Sequence, residues 1–306
     1  MRAPFLAALL TLAAAAQAQP ETVEELQRLL RERDAKIREL SEALEKSAPE
    51  EDEELNRALE RTLVQQGALL LPAGSYELQP QFSYAHWDKD RGPFRYEWDA
   101  GLAFRAGIGR EWQIQVGVPY VHLATSSGSA SDIGDIGLSI AKQLAREEGG
   151  RPAILASAGW IARTGRDGFA GEVPTGGGFN VLQGGLTLVK RYDPLVYFGG
   201  ISYAAPQSRE ISGVRVQPGD TVGLRGGAVL AATPHSSVNA GLNLGFVAAA
   251  RVGGERVPDS DTVIGALQLG FGTVLSRRVM LNLSGEFRVS GALPNFRLVL
   301  GVPIRF

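Results

Sequence analysis

Two hydrophobic periods divide this chain, and they meet near Gly74. Val23, Leu26, Leu30, Arg33, Ile37, Leu40 and Leu44 recur at alternating steps of three and four, with no Gly or Pro between Glu21 and Lys46. That spacing is an a/d seam with one polar position, Arg33, and predicts a short coiled coil. A lone amphipathic helix is the competing reading, and mixed Leu and Ile in the seam leave dimer against trimer open. Ser47-Ala48-Pro49 followed by Glu50-Glu51-Asp52-Glu53-Glu54 breaks the heptads and reads as a solvated linker. Leu55, Leu59 and Leu63 then form a second, short helical stripe ending before Gly67.

Beyond Gly74 the period is two. Tyr76, Leu78, Phe82 and Tyr84 alternate with Glu77, Gln79, Gln81 and Ser83, and Val238, Leu242, Leu244 and Phe246 oppose Ser237, Asn239 and Asn243. Such alternation predicts strands with one apolar face. Twelve segments carry it: 75–87, 96–109, 112–124, 135–144, 151–164, 178–190, 195–205, 220–232, 237–252, 262–275, 279–290 and 296–306. Two of them, 178–190 and 195–205, are apolar on both faces, so their facing stays open. Short turns such as Arg191-Tyr192-Asp193-Pro194 alternate with the longer polar loops 88–95, 125–134, 165–177, 206–219 and 253–261. Long strands and alternately short and long connections are the pattern of a transmembrane β-barrel, with short turns on the periplasmic side. An even strand count returns both ends of the barrel to that side. Tyr76, Trp98, Trp112, Tyr120, Trp160 and Tyr203 fall near strand ends on the apolar face, where interfacial aromatic belts lie. A soluble sandwich with one wet face is the alternative that these features argue against.

Processing and charge sharpen the division. Arg2, the apolar run Phe5 to Ala16 and the site Ala16-Gln17-Ala18 predict a secretory signal peptide over residues 1–18. Residues 19–66 carry 14 acidic and 8 basic residues, whereas 67–306 carry 19 and 22. The expected organisation is therefore a signal peptide (1–18), a periplasmic coiled coil (19–46), an acidic linker with a short helix (47–66) and an all-β, twelve-stranded antiparallel barrel (67–306) in a Gram-negative outer membrane. The absence of Cys excludes disulfides, thiolate metal sites and a cysteine nucleophile. A formal net charge of −2 makes no case for nucleic acid.

The chemistry expected of this barrel sits on its inward face: Glu77, Glu97, Asp99 and Glu286, with Arg105, Arg163, Arg225, Arg251, Arg288, Arg297 and Arg305. Together they describe a polar lumen, mildly anion-favouring; singly, each is better read as one half of a stiffening ion pair. Catalysis is not expected. A serine hydrolase needs a His oriented beside a Ser, and the three His (His86, His122, His235) are scattered, although Ser126, Ser127 and Ser129 follow His122. Asp259-Ser260-Asp261 and the pair Asp132 and Asp135 lack the ligand spacing of a calcium loop, so neither metal nor cofactor is expected.

Four stretches also carry a family resemblance. Gly67-Ala68-Leu69-Leu70-Leu71-Pro72-Ala73-Gly74, Val116-Gly117-Val118-Pro119-Tyr120-Val121, Ile133-Gly134-Asp135-Ile136-Gly137-Leu138-Ser139 and Arg163-Thr164-Gly165-Arg166 resemble the outer-membrane transporters labelled "MetA-pathway of phenol degradation". Asp193-Pro194, Tyr203 and Pro218-Gly219-Asp220 extend the likeness over most of 67–306. Within that family the arrangement is similar to the Fap functional-amyloid secretion channels. That resemblance implies trimeric association through the coiled coil, a helical plug over about residues 53–66 and export of an unfolded polypeptide. The sequence thus leads to a non-enzymatic, plug-gated channel, in contact with outer-membrane lipid and self-associating through its coiled coil. Uptake of small hydrophobic or aromatic compounds and a purely anchoring barrel are the alternatives.

Overall fold

The computed structural model describes residues 28–29, 31–33, 35–39, 59–88, 94–109, 111–169 and 171–306. The chain divides into two compact units, Met1–Glu53 and Glu54–Phe306. The described residues of the first unit are helical, with solvent-exposed pairs between Arg28 and Glu32 (3.4 Å) and between Lys36 and Glu39 (2.8 Å). Such exposed pairs contribute only a few tenths of a kcal/mol, about 0.3–0.5 each. Of the predicted seam, Arg33 and Ile37 lie on this helix, and Ile37 is 60% exposed. Val23, Leu26, Leu30, Leu40, Leu44, the signal peptide, the acidic linker and Leu55 lie outside the described residues.

In the second unit the period-two pattern becomes a closed antiparallel barrel. Its strands are β1 (Tyr76–His86), β2 (Phe94–Ile108), β3 (Trp112–Thr125), β4 (Ile136–Ala145), β5 (Ala153–Ala162) and β6 (Val181–Tyr192). The circuit continues through β7 (Leu195–Pro206), β8 (Thr221–Thr233), β9 (Ser236–Val247), β10 (Thr262–Val274), β11 (Met280–Ser290) and β12 (Phe296–Gly301). Each strand pairs with its sequence neighbours, and β12 closes on β1 with Phe82 opposite Leu300 and His86 opposite Phe296. Ile304–Arg305 extends that seam, setting Arg305 opposite Glu77. Closure leaves no unpaired ladder edge, which is the condition for strands to cross lipid.

Alternation decides which face each residue takes. Trp98, Leu102 and Phe104 of β2, Trp112, Val118 and Tyr120 of β3, and Leu267, Leu269 and Phe271 of β10 all stand exposed on the outside. So large an apolar surface faces lipid rather than water. The six belt aromatics expected from the sequence are all on it. The twelve expected segments agree with the twelve strands to within a few residues. The main departure is 237–252, where β9 stops at Val247. Arg251–Val252 leaves the wall and pairs with Val214–Gln217 and Glu255–Arg256, building with Arg209–Ile211 a four-stranded ribbon on the long-loop side.

The doubtful strands resolve by register. On β6 and β7, Leu182, Leu186, Leu188, Tyr197 and Ile201 face out, while Val189, Val196 and Phe198 are buried on the inside. Those inner residues meet Leu155 of β5, Val229 and Ala231 of β8, and Leu59, Leu63 and Ala68 of the segment before the barrel. Both faces are apolar because each has an apolar neighbour, lipid outside and a helix inside.

Candidate functional site

The helix 59–65 lies within the barrel at its short-turn end. Leu59 and Leu63, one turn apart, point into the apolar patch of β5–β8, and Leu63 is only 2% exposed. The polar side chains of the segment meet the polar wall. Thr62 Oγ1 is 2.5 Å from Ser237 Oγ, Gln66 Nε2 donates to Asn239 Oδ1 (3.4 Å), and Arg61 donates to the carbonyls of Ser276 and Arg277 in the turn after β10. Gly67, in the left-handed region (φ 63°), ends the helix, and Arg225 of β8 donates to the carbonyls of Gln66 (3.2 Å) and Gly67 (3.4 Å). The chain then returns along the wall to the short-turn end, with the Leu71 amide on Gln113 Oε1 (2.8 Å). At Gly107 it passes so close that a Cβ there would lie 2.7 Å from the Leu71 carbonyl oxygen, so only glycine fits beneath it. Beside the helix, a cavity of 520 Å³ remains against Gln143, Leu155 and Val189.

The helix also completes a buried ionic cluster. Arg105 Nη1 donates to Glu77 Oε1 (2.8 Å) and to Gln65 Oε1 (2.8 Å), its Nε donates to Gln115 (2.9 Å), and Gln65 Nε2 donates back to Glu77 Oε1 (2.8 Å). Arg305 stands 3.6 Å from the other Glu77 oxygen. Glu77 is 2% exposed and Arg105 8%, so this charge pair is paid for by geometry rather than by water.

Other expected lumen residues fall into place along β11, β12, β1 and β2. Arg297 bridges Glu97 (2.8 Å) and Asp99 (3.8 Å), and Arg288 reaches Asp88 (3.5 Å). Glu286 lies on the same inner wall, opposite Arg297 in register and without an ion-pair partner among the described residues. The facing wall, β5 to β9, is neutral and small: Ser157, Gly159, Gly185, Gly200, Ser202, Gly223 and Asn243 point inward, with Arg225 the predicted cation among them. Two expected lining residues belong elsewhere. Arg163 is exposed one residue beyond β5, and Arg251 is exposed in the outer ribbon, because the strands they were assigned to end earlier. Without them the predicted set holds five arginines against four carboxylates, and most of the inferred anion preference goes.

The two motifs Gly134-Asp135 and Arg163-Thr164-Gly165-Arg166 meet at the long-loop end. Asp135 Oδ1 accepts the amides of Thr164 (3.1 Å) and Gly165 (2.9 Å), Oδ2 accepts that of Gly177 (2.6 Å), and Thr164 Oγ1 donates to the Gly134 carbonyl (2.7 Å). This clamp draws the loop 163–180 over the mouth; Gly176 passes so close to the Asp135 carboxylate that a side chain there would collide. Asp132 bonds Arg166 (3.0 Å) and Asp261 bonds Arg256 (3.0 Å), so these carboxylates serve loop structure. No group of three or more metal-binding side chains occurs among the described residues. His122 Nδ1 is 2.7 Å from Ser131 Oγ rather than from Ser126, Ser127 or Ser129, and no carboxylate orients the ring among the described residues.

Outside the membrane, the Arg209 guanidinium 2.5 Å from Asp167, helped by the Phe169 amide, holds the Asp167 carboxyl below the usual carboxylate range. A depressed carboxylate contributes stability above its unfolded pKa of about 3.9 and loses it as pH falls through the folded value. The loop should therefore stay docked from pH 7 to 5 and loosen only below about 4. A dye on Glu172→Cys, unique in a chain without cysteine, reads this; Asp167→Asn should show the loosened signal at pH 7. An identical pH response in the variant would refute it.

Sequence reasoning missed the polar partners Thr62, Gln65, Gln66, Gln113 and Gln115, and the clamp on Asp135. The inward parity of Gln113 and Gln115 was readable; their contacts with another segment were not.

No family model matches the chain. A solved outer-membrane channel from Pseudomonas putida F1 is similar in fold, with a TM-score of 0.64 and 14% identity, over 77% of this chain and 97% of that one. The NanC porin (TM-score 0.49, 7% identity, 75% and 98% covered) and the translocator domain of autotransporter NalP from Neisseria meningitidis (0.49, 15%, 86% and 98%) are more distant, and no argument rests on them. The fold is thus that of a twelve-stranded outer-membrane β-barrel. The phenol-degradation likeness rests on the motif residues, and the Fap likeness on the arrangement of N-terminal helices and barrel.

Proposed function

We propose that this protein is a non-enzymatic outer-membrane channel whose lumen is gated from the short-turn, periplasmic side by withdrawal of helix 59–65. The observation that carries this reading is the two-faced seat of the helix, with leucines on an apolar patch and Thr62, Gln65 and Gln66 on a polar wall. The barrel ladder closes without the helix, so the helix can leave without breaking a strand pair. Beyond it the lumen is polar, with charged groups on one wall and Ser, Gly and Asn on the other, a surface suited to hydrophilic solutes or an extended polypeptide. Export of an unfolded chain, with the coiled coil of residues 19–46 assembling protomers in the periplasm, is the form of transport that the Fap-like arrangement favours. Uptake of neutral hydrophobic compounds draws less support, since the inward apolar patch on β6 and β7 is occupied by Leu59 and Leu63.

A cross-link tests the gate. Thr62 and Ser237 touch side chain to side chain, so Thr62→Cys with Ser237→Cys is placed for a disulfide. In planar bilayers the oxidised protein should lose its openings, and reductant should restore them. Unchanged openings in protein shown to be cross-linked would sink helix withdrawal as the gate.

A further inference from the structure

Between the clamped loop and the ionic wall lies a second cavity, of 450 Å³, at the long-loop end of the lumen. That is within the range of small-molecule sites, about 300–1,000 Å³. Its walls are of two kinds. Trp87, immediately after β1, has inward parity and is 9% exposed; Phe94 is turned inward by a register shift at the start of β2; and the rings sit 5.7 Å apart. Leu123 and Pro174 extend this apolar side. The charged lining residues are Glu97, Asp99 and Asp135, and no Lys or Arg side chain lines the cavity among the described residues.

The charges do not cancel. Asp135 is held by three amides, and the single Arg297 serves both Glu97 and Asp99, at 2.8 and 3.8 Å. Ser83 donates to Asp99 Oδ2 (2.8 Å), while Asp99 Oδ1 is buried without a partner. The indole N–H of Trp87 is likewise buried and unpartnered. Groups so placed are costly unless something completes them. Two carboxylates that share one arginine, beside aromatic faces, match a cation attached to an apolar body.

We propose that this cavity is a binding subsite for a small organic cation, an ammonium on an aromatic or similarly flat apolar body. The ammonium donates to Asp99 Oδ1, the body lies against Trp87 and Phe94, and an acceptor or water meets the indole N–H. As a stage on a transport path the site rests on the channel reading; as a binding site it does not.

Calorimetry on the full-length protein in detergent at pH 7 tests it with three probes of one shape: benzylamine, benzyl alcohol and benzoate. Benzylamine should bind at least about tenfold more tightly than either of the others. Asp99→Asn should remove that margin, whereas Asp261→Asn, in a loop away from the cavity, should keep it. Equal binding of benzyl alcohol, preference for benzoate or no binding of benzylamine at millimolar concentration each overturns the proposal, and the native protein alone decides among these. Bilayer conductance measured in parallel separates the two readings. Conduction without benzylamine binding removes only the subsite, and binding to a protein that never conducts removes only the channel.

Discussion

Deleting residues 19–66 is expected to turn a mostly closed protein into a steadily conducting one, with open probability in planar bilayers rising on the order of tenfold or more, equivalent to at least about 1.4 kcal/mol. The magnitude follows from what holds the helix. Burying Leu59, Leu63 and Val64 contributes about 1.5–3 kcal/mol each. The side-chain hydrogen bonds of Thr62, Gln65 and Gln66 add about 0.5–1.5 kcal/mol apiece. Against this, ordering seven helical residues costs about 1–2 kcal/mol each. Gain and cost are of one size, so the seated helix is held weakly enough to be displaced. The 520 Å³ cavity beside it gives it room to shift. Deletion removes the competitor altogether. Two silent proteins would eliminate the aqueous channel and leave lateral passage of apolar compounds or an anchoring barrel. Two equally open ones would eliminate the helix as gate and shift attention to the clamped loop 163–180.

Replacing Arg105 by Ala should be the most damaging single change to the barrel, at about 3–5 kcal/mol. It removes three hydrogen bonds at once and leaves Glu77 buried with only Gln65 and the more distant Arg305. Arg305, at 3.6 Å from Glu77, is beyond hydrogen-bond distance and so compensates the stranded charge only in part. The loss should appear as a lower unfolding temperature in heat-modifiability gels. Glu77→Ala should rescue part of it, because removing both charges costs less than stranding one. Losses that simply add in the double variant would show that the two side chains do not act as a unit. Gln65 belongs to the same cluster, so Arg105→Ala should also raise open probability, though less than the deletion does.

Much of this architecture was legible in the sequence. Alternation of period two, carried by residues such as Trp98 against Glu97 and Asp99, sets both the strand and its facing, because one face meets hydrocarbon and the other does not. The alternation of turn and loop lengths then ordered the strands without ambiguity. Leu59 and Leu63 were readable as a helical stripe for the same reason, an apolar spacing that water would not favour. The lumen charges on β1, β2, β11 and β12 followed from parity alone. Where parity ran past the wall, at Arg163 and Arg251, it misassigned them, since hydrogen bonding ends a strand and hydropathy does not.

What the sequence by itself determined is therefore local: which segments are strands, which side of each meets lipid, and which short helix precedes them. Only the tertiary structure decided which groups meet across the lumen. Glu77 and Arg105, 28 residues apart, meet through the pairing of β1 with β2, Asp135 and Gly177, 42 apart, meet through the loop clamp, and Thr62 and Ser237, 175 apart, meet because the helix lies inside the barrel. The apolar inner faces of β6 and β7 likewise acquire meaning only once Leu59 and Leu63 lie on them. A periodic pattern reports the solvent beside a residue, whereas a partner far along the chain is reported only by the folded wall.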